Sequence, residues 1–342
     1  ALARLGSPTL PPQWFLVLLC AAAVGLAYLS WYFVERPFRD RKVVSRKVFF
    51  SFATGALVLL MVLGSTFIWS RGFERAFLAR LDSKAQAQFA AIAEADATNS
   101  ESSMLDNNDC KFWKNGIDAE FMVRFDHCVE KYGKAYVVVG DSHAMDLYNA
   151  VFQASTYPFV VGVSKGGCRP ERLTDFRCPY SALIKLARDN PAAFRHTFFT
   201  QSGADFLTSS QYLPLKPEKV QAVTAFLHAF PSGMGISWLG PQVEPRVELR
   251  NINPVIGKYP QPDRGAMDAM VEADRLLASS AANDAQIQYL SKISMVHFSL
   301  ADDFFQEGKF TYSNRDHWST FGEAVFGRRI VDGLRDLGFT DL

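Results

Sequence analysis

The chain has 342 residues, 49% of them hydrophobic, and a formal net charge of +1. This length accommodates one sizeable core and an additional segment. The charge is nearly balanced, and no basic stripe is interleaved with aromatic residues, so the composition argues against a nucleic-acid partner.

Two uncharged apolar runs lie near the start of the chain, from Trp14 to Val34 and from Val48 to Ser70. Each has about the ~20 residues that a helix needs to cross a bilayer. Aromatic residues occur near both ends, as at membrane interfaces. One alternative is a pair of buried core helices. A cleaved signal peptide is a second alternative, but it would explain only one of the two runs. We therefore predict two transmembrane helices within residues 1–70.

The segment between the two runs, ERPFRDRKVVSRK, has six Lys and Arg residues against Glu35 and Asp40. Such loops stay in the cytoplasm. We therefore expect the residues after about 70 to lie outside the cytoplasm. In a Gram-negative bacterium this would be the periplasm, with the two helices in the bacterial inner membrane. Because the chain begins at Ala1, we also expect it to be part of a longer protein.

Four cysteines follow the apolar runs, an even number that suits an oxidising compartment. Three connectivities are open, and we favour Cys110–Cys128 with Cys168–Cys178. A zinc site is the competing interpretation, but neither pair has CxxC spacing and no histidine cluster accompanies them. We expect no metal.

Residues 71–130 predict a helix that leaves the membrane and then a polar linker. Beyond them, short apolar runs alternate with helical patterns, which indicates a parallel sheet covered on both faces. We predict a three-layer α/β/α sandwich over residues 131–342, with its active site at the carboxyl ends of the strands. The strand candidates are Ala135–Val139, Pro158–Ser164, His196–Thr200, Met234–Leu239 and Met295–Phe298.

The stretch AYVVVGDSHAMDLYNA places Ser142 directly after the first of these strands and at the start of a helix. Free backbone N–H groups at such a position suit a serine that becomes an alkoxide or holds an oxyanion. The alternative is a serine that only caps the helix. His143 either lines the pocket or faces solvent.

A second stretch, YSNRDHWSTFGEAVFG, places His317 before the last predicted helix. Although Ser142 and His317 are far apart in sequence, a doubly wound sheet can bring both to the same edge. A Ser142–His317 pair would be the minimum needed for nucleophilic catalysis.

With these two stretches, the chain resembles the SGNH (GDSL-like) hydrolase and acyltransferase superfamily, over roughly residues 131–342. WYFVERPFR resembles the last membrane helices of the acyltransferase-3 family. The combination is similar to the bacterial O-antigen and surface-polysaccharide O-acetyltransferases, in which an acyltransferase-3 membrane domain is fused to a periplasmic SGNH domain.

The resemblance implies roles for individual residues. Ser142 would be the nucleophile and would donate its backbone N–H to the oxyanion hole, and His317 would be the general base. The second oxyanion donor would be Gly166 or Gly167, of which we favour Gly167, although a simple turn explains these glycines equally well. The family's third donor, an asparagine, is absent, and Gln201 is the candidate near its place.

The last family block also differs here, because Asn314 stands where the DxxH pattern has aspartate. Asparagine supplies no negative charge and can hold the wrong tautomer of the imidazole. In a Ser-His-Asp protease this exchange costs about 10⁴ in turnover. Asp316, adjacent to His317, is the alternative acid. A Ser–His dyad, an acid from elsewhere and an inactivating substitution all remain open.

The resemblance predicts an O-acetyltransferase that passes an acetyl group through Ser142 to a sugar hydroxyl of a bacterial surface polysaccharide. Acetyl-CoA would be the ultimate acyl donor, and no cofactor is expected to bind this portion. The partners would be the polysaccharide, the membrane and the remainder of the acyltransferase-3 domain. The alternatives are a carbohydrate acetyl esterase and a glycan-binding domain with a decayed triad.

Overall fold

The computed structural model describes residues 13–36, 45–70, 72–97, 103–209, 212–252, 255 and 261–342. The chain divides into two compact units. The first comprises residues 1–86 and 254–258, and the second comprises residues 87–253 and 259–342.

Two long apolar helices are present in the first unit, α1 (Gln13–Ser30, extended by a π-helical turn over Trp31–Glu35) and α2 (Arg46–Trp69). Both are long and apolar enough, by length and composition, to cross a membrane. Most of the basic loop between them lies outside the described residues. Two further helices follow, α3 (Glu74–Leu78) and α4 (Ser83–Ala97), and most of α4 belongs to the second unit.

The second unit contains a six-stranded sheet flanked by helices. Its strands are β1 (Lys111–Lys114), β2 (Ala135–Gly140), β3 (Val160–Ser164), β4 (Phe194–Thr200), β7 (Ile236–Leu239) and β8 (Gln288–Leu290). Two small antiparallel pairs add β5 (Leu207–Ser209) with β6 (Tyr212–Leu215), and β9 (Phe305–Gln306) with β10 (Lys309–Phe310). The helices are α5 (Ala119–Tyr132), α6 (Ser142–Ala154), α7 (Tyr180–Asp189), α8 (Pro217–His228), α9 (Arg264–Ala281), α10 (Lys292–Val296), α11 (Leu300–Asp303) and α12 (Thr320–Asp336).

The strand order of the large sheet is β1-β3-β2-β4-β7-β8, and every pairing in it is parallel. Parallel neighbours require crossover connections, which the intervening helices supply. β2 therefore lies in the middle of the sheet, and its carboxyl end, followed at once by α6, lies at the centre of one sheet edge.

Side chains of β2 show why both faces of the sheet are covered. Val137 and Val139 belong to one buried cluster, and Tyr136 and Val138 belong to a second cluster. Successive residues of a strand point to opposite faces, so an apolar run of this kind needs helices on both sides. The predicted three-layer α/β/α fold with a parallel sheet is confirmed.

Four of the five predicted strands coincide with β2, β3, β4 and β7, with shifts of up to two residues at their ends. The fifth prediction, Met295–Phe298, is wrong. There the chain forms the end of α10, which Ser291 caps by accepting a hydrogen bond from the Ser294 N–H. The last strand of the large sheet, β8, lies just upstream. A short apolar run does not distinguish a strand from a buried helical turn by periodicity alone.

The segment that the sequence predicts as helix and linker contains regular structure near its end. β1 pairs with β3 at the edge of the sheet, and α5 packs Phe121 and Phe125 into the core. The favoured disulfides are confirmed. Cys110 is bonded to Cys128, joining β1 to α5, and Cys168 is bonded to Cys178 in the loop after β3.

Candidate active site

Ser142 is the first residue of α6, and the turn before it explains the Gly-Asp-Ser sequence. A Cβ added to Gly140 would lie 1.8 Å from the carbonyl oxygen of Thr200, so only glycine lets the end of β2 approach β4 this closely. Asp141 caps the helix, because its Oδ1 accepts a hydrogen bond from the His143 N–H at 2.9 Å. Since Asp141 provides the cap, the serine is not needed as the cap residue, and its side chain remains partly exposed.

The second oxygen of Asp141 ties this turn to its neighbours. Oδ2 accepts a hydrogen bond from the backbone N–H of Ser202, in the loop after β4, at 3.1 Å. It also lies 3.5 Å from Nε of Arg169, in the loop after β3. Asp141 therefore connects the three central loops at this edge of the sheet.

Asn314 orients the imidazole of His317. Its Oδ1 accepts backbone hydrogen bonds from Asp316 (3.1 Å) and His317 (2.9 Å), and it lies 3.2 Å from Nδ1 of the His317 ring. Because two backbone N–H groups point at this atom, it must be the amide oxygen and not the nitrogen. Nδ1 therefore carries the proton, and Nε2 is the nitrogen that can take one up.

Asp316 brings a negative charge to the same ring. Its Oδ1 lies 3.2 Å from Nδ1 of His317, and its Oδ2 lies 4.0 Å from Nε2 of His143. Burial by itself would raise the pKa of Asp316, but the two neighbouring imidazoles outweigh it and hold the pKa well below its usual range. The carboxylate is therefore ionised. Although adjacent in sequence to His317, it contacts the same nitrogen as Asn314.

His143 joins the two distant stretches of sequence. It directly follows Ser142, its side chain is fully buried, and its ring centroid lies 5.0 Å from that of His317. Of the two alternatives for His143, the one in which it faces solvent is wrong, because α6 turns this side chain toward the loop that carries His317. This contact brings the serine turn and the histidine loop to the same place.

A buried glutamate extends this group of charges. Glu244, in the loop after β7, is fully buried and lies 2.6 Å from Nη2 of Arg246. Burial raises the pKa of Glu244, while His143 and Arg246 lower it. The imidazole of His143 is therefore bordered by two acidic residues, Glu244 and Asp316.

Gly167 and Gln201, the predicted oxyanion donors, lie in the loops after β3 and β4. The Cys168 N–H donates to the Lys165 carbonyl at 3.1 Å, and Gly167 has a φ of +71°, so the glycines form a tight turn. The Gln201 side chain is buried, and its Nε2 lies 3.4 Å from Oδ2 of Asp205. Both oxyanion roles stay predictions.

Three buried polar residues that the sequence did not single out lie beneath the histidine loop, namely Asp146, Gln242 and Lys292. Asp146 follows Ser142 by four residues, so helical periodicity places it on the same side of α6. Gln242 follows the carboxyl end of β7, where site residues are expected in this fold. No sequence signal marks Lys292.

Among the residues that the structure describes, no group of three or more His, Cys, Asp or Glu side chains is arranged to hold a metal ion. The groups available at this edge are a hydroxyl at a helix N-terminus and, in the loop that the next residue His143 contacts, an oriented imidazole and a carboxylate.

The doubly wound sheet, with a Gly-Asp-Ser turn after its central strand and a histidine loop before its last helix, defines an SGNH-type α/β/α domain. The chain belongs to the family of SGNH domains fused to AT3 domains, which matches residues 109–332. This family is the AT3-fused form of the SGNH superfamily that the sequence resembles. No curated protein matches the chain.

Several solved structures are similar to the chain at low sequence identity. The periplasmic domain of a lipopolysaccharide acetyltransferase from Salmonella ser. Paratyphi A is 14% identical, with a TM-score of 0.49, covering 75% of this chain and 98% of that one. A putative SGNH hydrolase from Slackia heliotrinireducens is 14% identical, with a TM-score of 0.41, covering 59% and 98%. A carbohydrate acetylesterase from Sinorhizobium meliloti is 10% identical, with a TM-score of 0.39, covering 60% and 99%.

Proposed function

We propose that this chain is the SGNH portion of an O-acetyltransferase that acetylates a sugar hydroxyl of a bacterial surface polysaccharide, such as O-antigen, in the periplasm. The observation that carries the proposal is the contact of His317 with three partners. Asn314 and Asp316 lie at its Nδ1, and His143, next to Ser142, lies against its ring.

In the proposed reaction, Nε2 of His317 takes the proton of the Ser142 hydroxyl while the serine oxygen attacks the carbonyl carbon of an acetyl ester. The leaving group departs with a proton from the imidazolium, and an acetyl-serine remains. A sugar hydroxyl then attacks this ester and gives its proton to His317, which passes it to the departing oxygen of Ser142. The backbone N–H groups of Ser142 and Gly167, with Gln201, would stabilise the oxyanion in both steps.

Asp316 supplies the negative charge that Asn314 lacks. The amide oxygen of Asn314 selects the tautomer of His317, and the carboxylate of Asp316 stabilises the imidazolium that forms. The two functions that one aspartate performs in the family pattern are then divided between two residues. This division favours a working catalytic group over a decayed one.

Transfer is favoured over hydrolysis by the rest of the chain. The family is fused to AT3 domains, and α1 and α2 have the length and composition of transmembrane helices. A membrane domain of this kind would supply acetyl groups that originate from cytoplasmic acetyl-CoA, which a secreted esterase would not need. The partners of this chain would be the membrane, the remainder of the acyltransferase-3 domain and the polysaccharide acceptor.

The test is the intact mass of the detergent-solubilised chain after incubation with p-nitrophenyl acetate. We expect one added acetyl group in the unmodified chain and none on Ser142→Ala, with His317→Gln strongly slowed. Equal labelling of Ser142→Ala would remove the proposed nucleophile.

A second measurement separates transfer from hydrolysis. O-antigen oligosaccharide is added at increasing concentration, and acetate and acetylated glycan are quantified. Acetylated glycan that increases at the expense of acetate supports the transferase. Acetate alone at every concentration would instead identify a carbohydrate acetyl esterase, and glycan binding without any labelling would identify a binding domain.

A further inference from the structure

A fully buried polar cluster, defined by Asp146, Gln242 and Lys292, supports the loop that carries His317. Side chains of this kind are rarely buried unless they are paired, because the loss of hydration must be compensated by hydrogen bonds or opposite charges. None of the three is a candidate nucleophile, base or oxyanion donor. The contacts of these three side chains indicate a role in holding the histidine loop in place.

Asp146 connects the nucleophile helix to the histidine loop. It lies one helical turn after Ser142 on α6, and its Oδ2 accepts a hydrogen bond from the backbone N–H of Trp318 at 3.2 Å. Trp318 is the residue immediately after His317. The position of the loop is therefore tied directly to the helix that begins with Ser142.

Gln242 holds the other side of His317. Its Nε2 donates to the backbone carbonyl oxygen of Asp316 at 2.8 Å and to Oδ2 of Asp146 at 3.2 Å. The amide of Gln242 thus contacts Asp316, the residue before His317, and also Asp146, whose carboxylate holds Trp318, the residue after it. Between them, Asp146 and Gln242 hold the backbone on both sides of His317.

Lys292 supplies the positive charge of the cluster. Its Nζ lies 3.5 Å from Oε1 of Gln242 and 5.9 Å from the ring centroid of Trp318. Burial lowers the pKa of Lys292 to about 8, while the carboxylates of Asp146, Asp141, Glu244 and Asp274 raise it. The lysine therefore places its ammonium group against Gln242 and over the ring of Trp318 within the cluster.

We propose that Asp146 and Gln242 are positioning residues that set the imidazole of His317 relative to Ser142, with Lys292 supporting the side chain of Gln242. This inference rests on the proposed function, because it concerns the geometry of the same Ser–His pair. A displacement of about 1 Å in such a pair can cost about 10²-fold in rate.

The test compares Asp146→Ala with Asn149→Ala in the full, detergent-solubilised chain. Asn149 is a matched control, because it is also a fully buried polar residue of α6, but its side chain bonds Glu323, Leu105 and Ser103, away from the histidine loop. For each variant, the rate of Ser142 acetylation is measured by intact mass over a range of p-nitrophenyl acetate concentrations, together with the melting temperature.

We expect Asp146→Ala to lower the maximal acetylation rate by about 10²-fold, with the half-saturating ester concentration unchanged. Asn149→Ala should lose comparable thermal stability but keep its rate within about threefold. Asp146→Asn should recover most of the rate, because its amide oxygen can still accept from the Trp318 N–H. Gln242→Ala, which removes only a neutral side chain, provides the same comparison if Asp146→Ala does not fold.

The inference is overturned if Asp146→Ala and Gln242→Ala lose no more rate than Asn149→Ala at equal stability. It is also overturned if Asp146→Asn is as slow as Asp146→Ala. The proposed function fails by a different result, labelling of the Ser142→Ala chain, so the two failures are distinguishable.

Discussion

The side chains of Asn314 and Asp316 approach the same atom, Nδ1 of His317, each at 3.2 Å. Asn314 contributes an oxygen that two backbone N–H groups hold in place, and Asp316 contributes an ionised carboxylate. If His317 acts as the general base, these two side chains perform different tasks, so substitutions at the two positions should have different effects.

Asp316→Asn should slow the acetylation of Ser142 by on the order of 10³-fold. The loss should be smaller than the about 10⁴-fold known for an aspartate-to-asparagine exchange in a Ser-His-Asp protease, because Asn314 still selects the tautomer. Single-turnover labelling with p-nitrophenyl acetate measures the rate, with the melting temperature recorded beside it. A rate within threefold of the unmodified chain would show that Asp316 is not the acid that supports His317.

Asn314→Asp should accelerate acetylation by roughly fivefold, because a second negative charge near Nδ1 further stabilises the imidazolium. The carboxylate can still accept the hydrogen bonds of the Asp316 and His317 backbone, so the loop should keep its conformation. The same labelling assay applies, with Asn314→Leu as the slow control that removes the oxygen. A slower Asn314→Asp would mean that crowding of two carboxylates outweighs the added charge.

Glu323→Gln should stabilise the chain increasingly as the pH rises. Burial, aided by Asp146 and opposed by a hydrogen bond from Asn149, raises the pKa of Glu323 to about 10 from its ordinary value of 4.5. Between these values the folded state holds a proton that the unfolded state releases, so this group reduces the free energy of unfolding as pH rises, by up to about 1.4 kcal/mol per pH unit.

The measurement is the difference in free energy of unfolding between Glu323→Gln and the unmodified chain at pH 5 and pH 8. The difference should favour the variant more at pH 8. Glu272, a partly exposed residue whose pKa is lowered by Arg275, is the control, and Glu272→Gln should show no such increase. A difference for Glu323→Gln that is constant with pH would contradict the raised pKa.

Gly140→Ala should prevent the turn before Ser142 from closing. The added Cβ would lie 1.8 Å from the Thr200 carbonyl oxygen, and relieving this contact requires β2 and β4 to separate, at a cost of about 3 kcal/mol or more. Gly167→Ala is the comparison, because no atom lies within 4 Å of its added Cβ and only its φ of +71° is strained, which costs ~1–2 kcal/mol. Thermal unfolding checks both, and equal melting temperatures would contradict the prediction.

The local pattern of the sequence was sufficient to determine the layered fold, the two apolar helices and the position of Ser142 and His317 at strand and helix ends. These features depend on periodicity and on residues close in sequence, such as the apolar run of β2 and the Gly-Asp-Ser turn that follows it. Dependence on such short patterns also explains why the strand predicted at Met295–Phe298 is wrong. A mostly apolar run of four residues is too short for its periodicity to distinguish a helical turn from a strand.

Only the tertiary structure decided which side chains surround the imidazole of His317. Adjacency in sequence argued against Asp316, but the turn stabilised by Asn314 directs its carboxylate to Nδ1. The contact between His143 and His317, and the support of the histidine loop by Asp146 and Gln242, join segments of α6, the β7 loop and the last loop. Such contacts depend on the packing of whole elements, because the residues involved are separated by 70 positions or more and no local pattern links them.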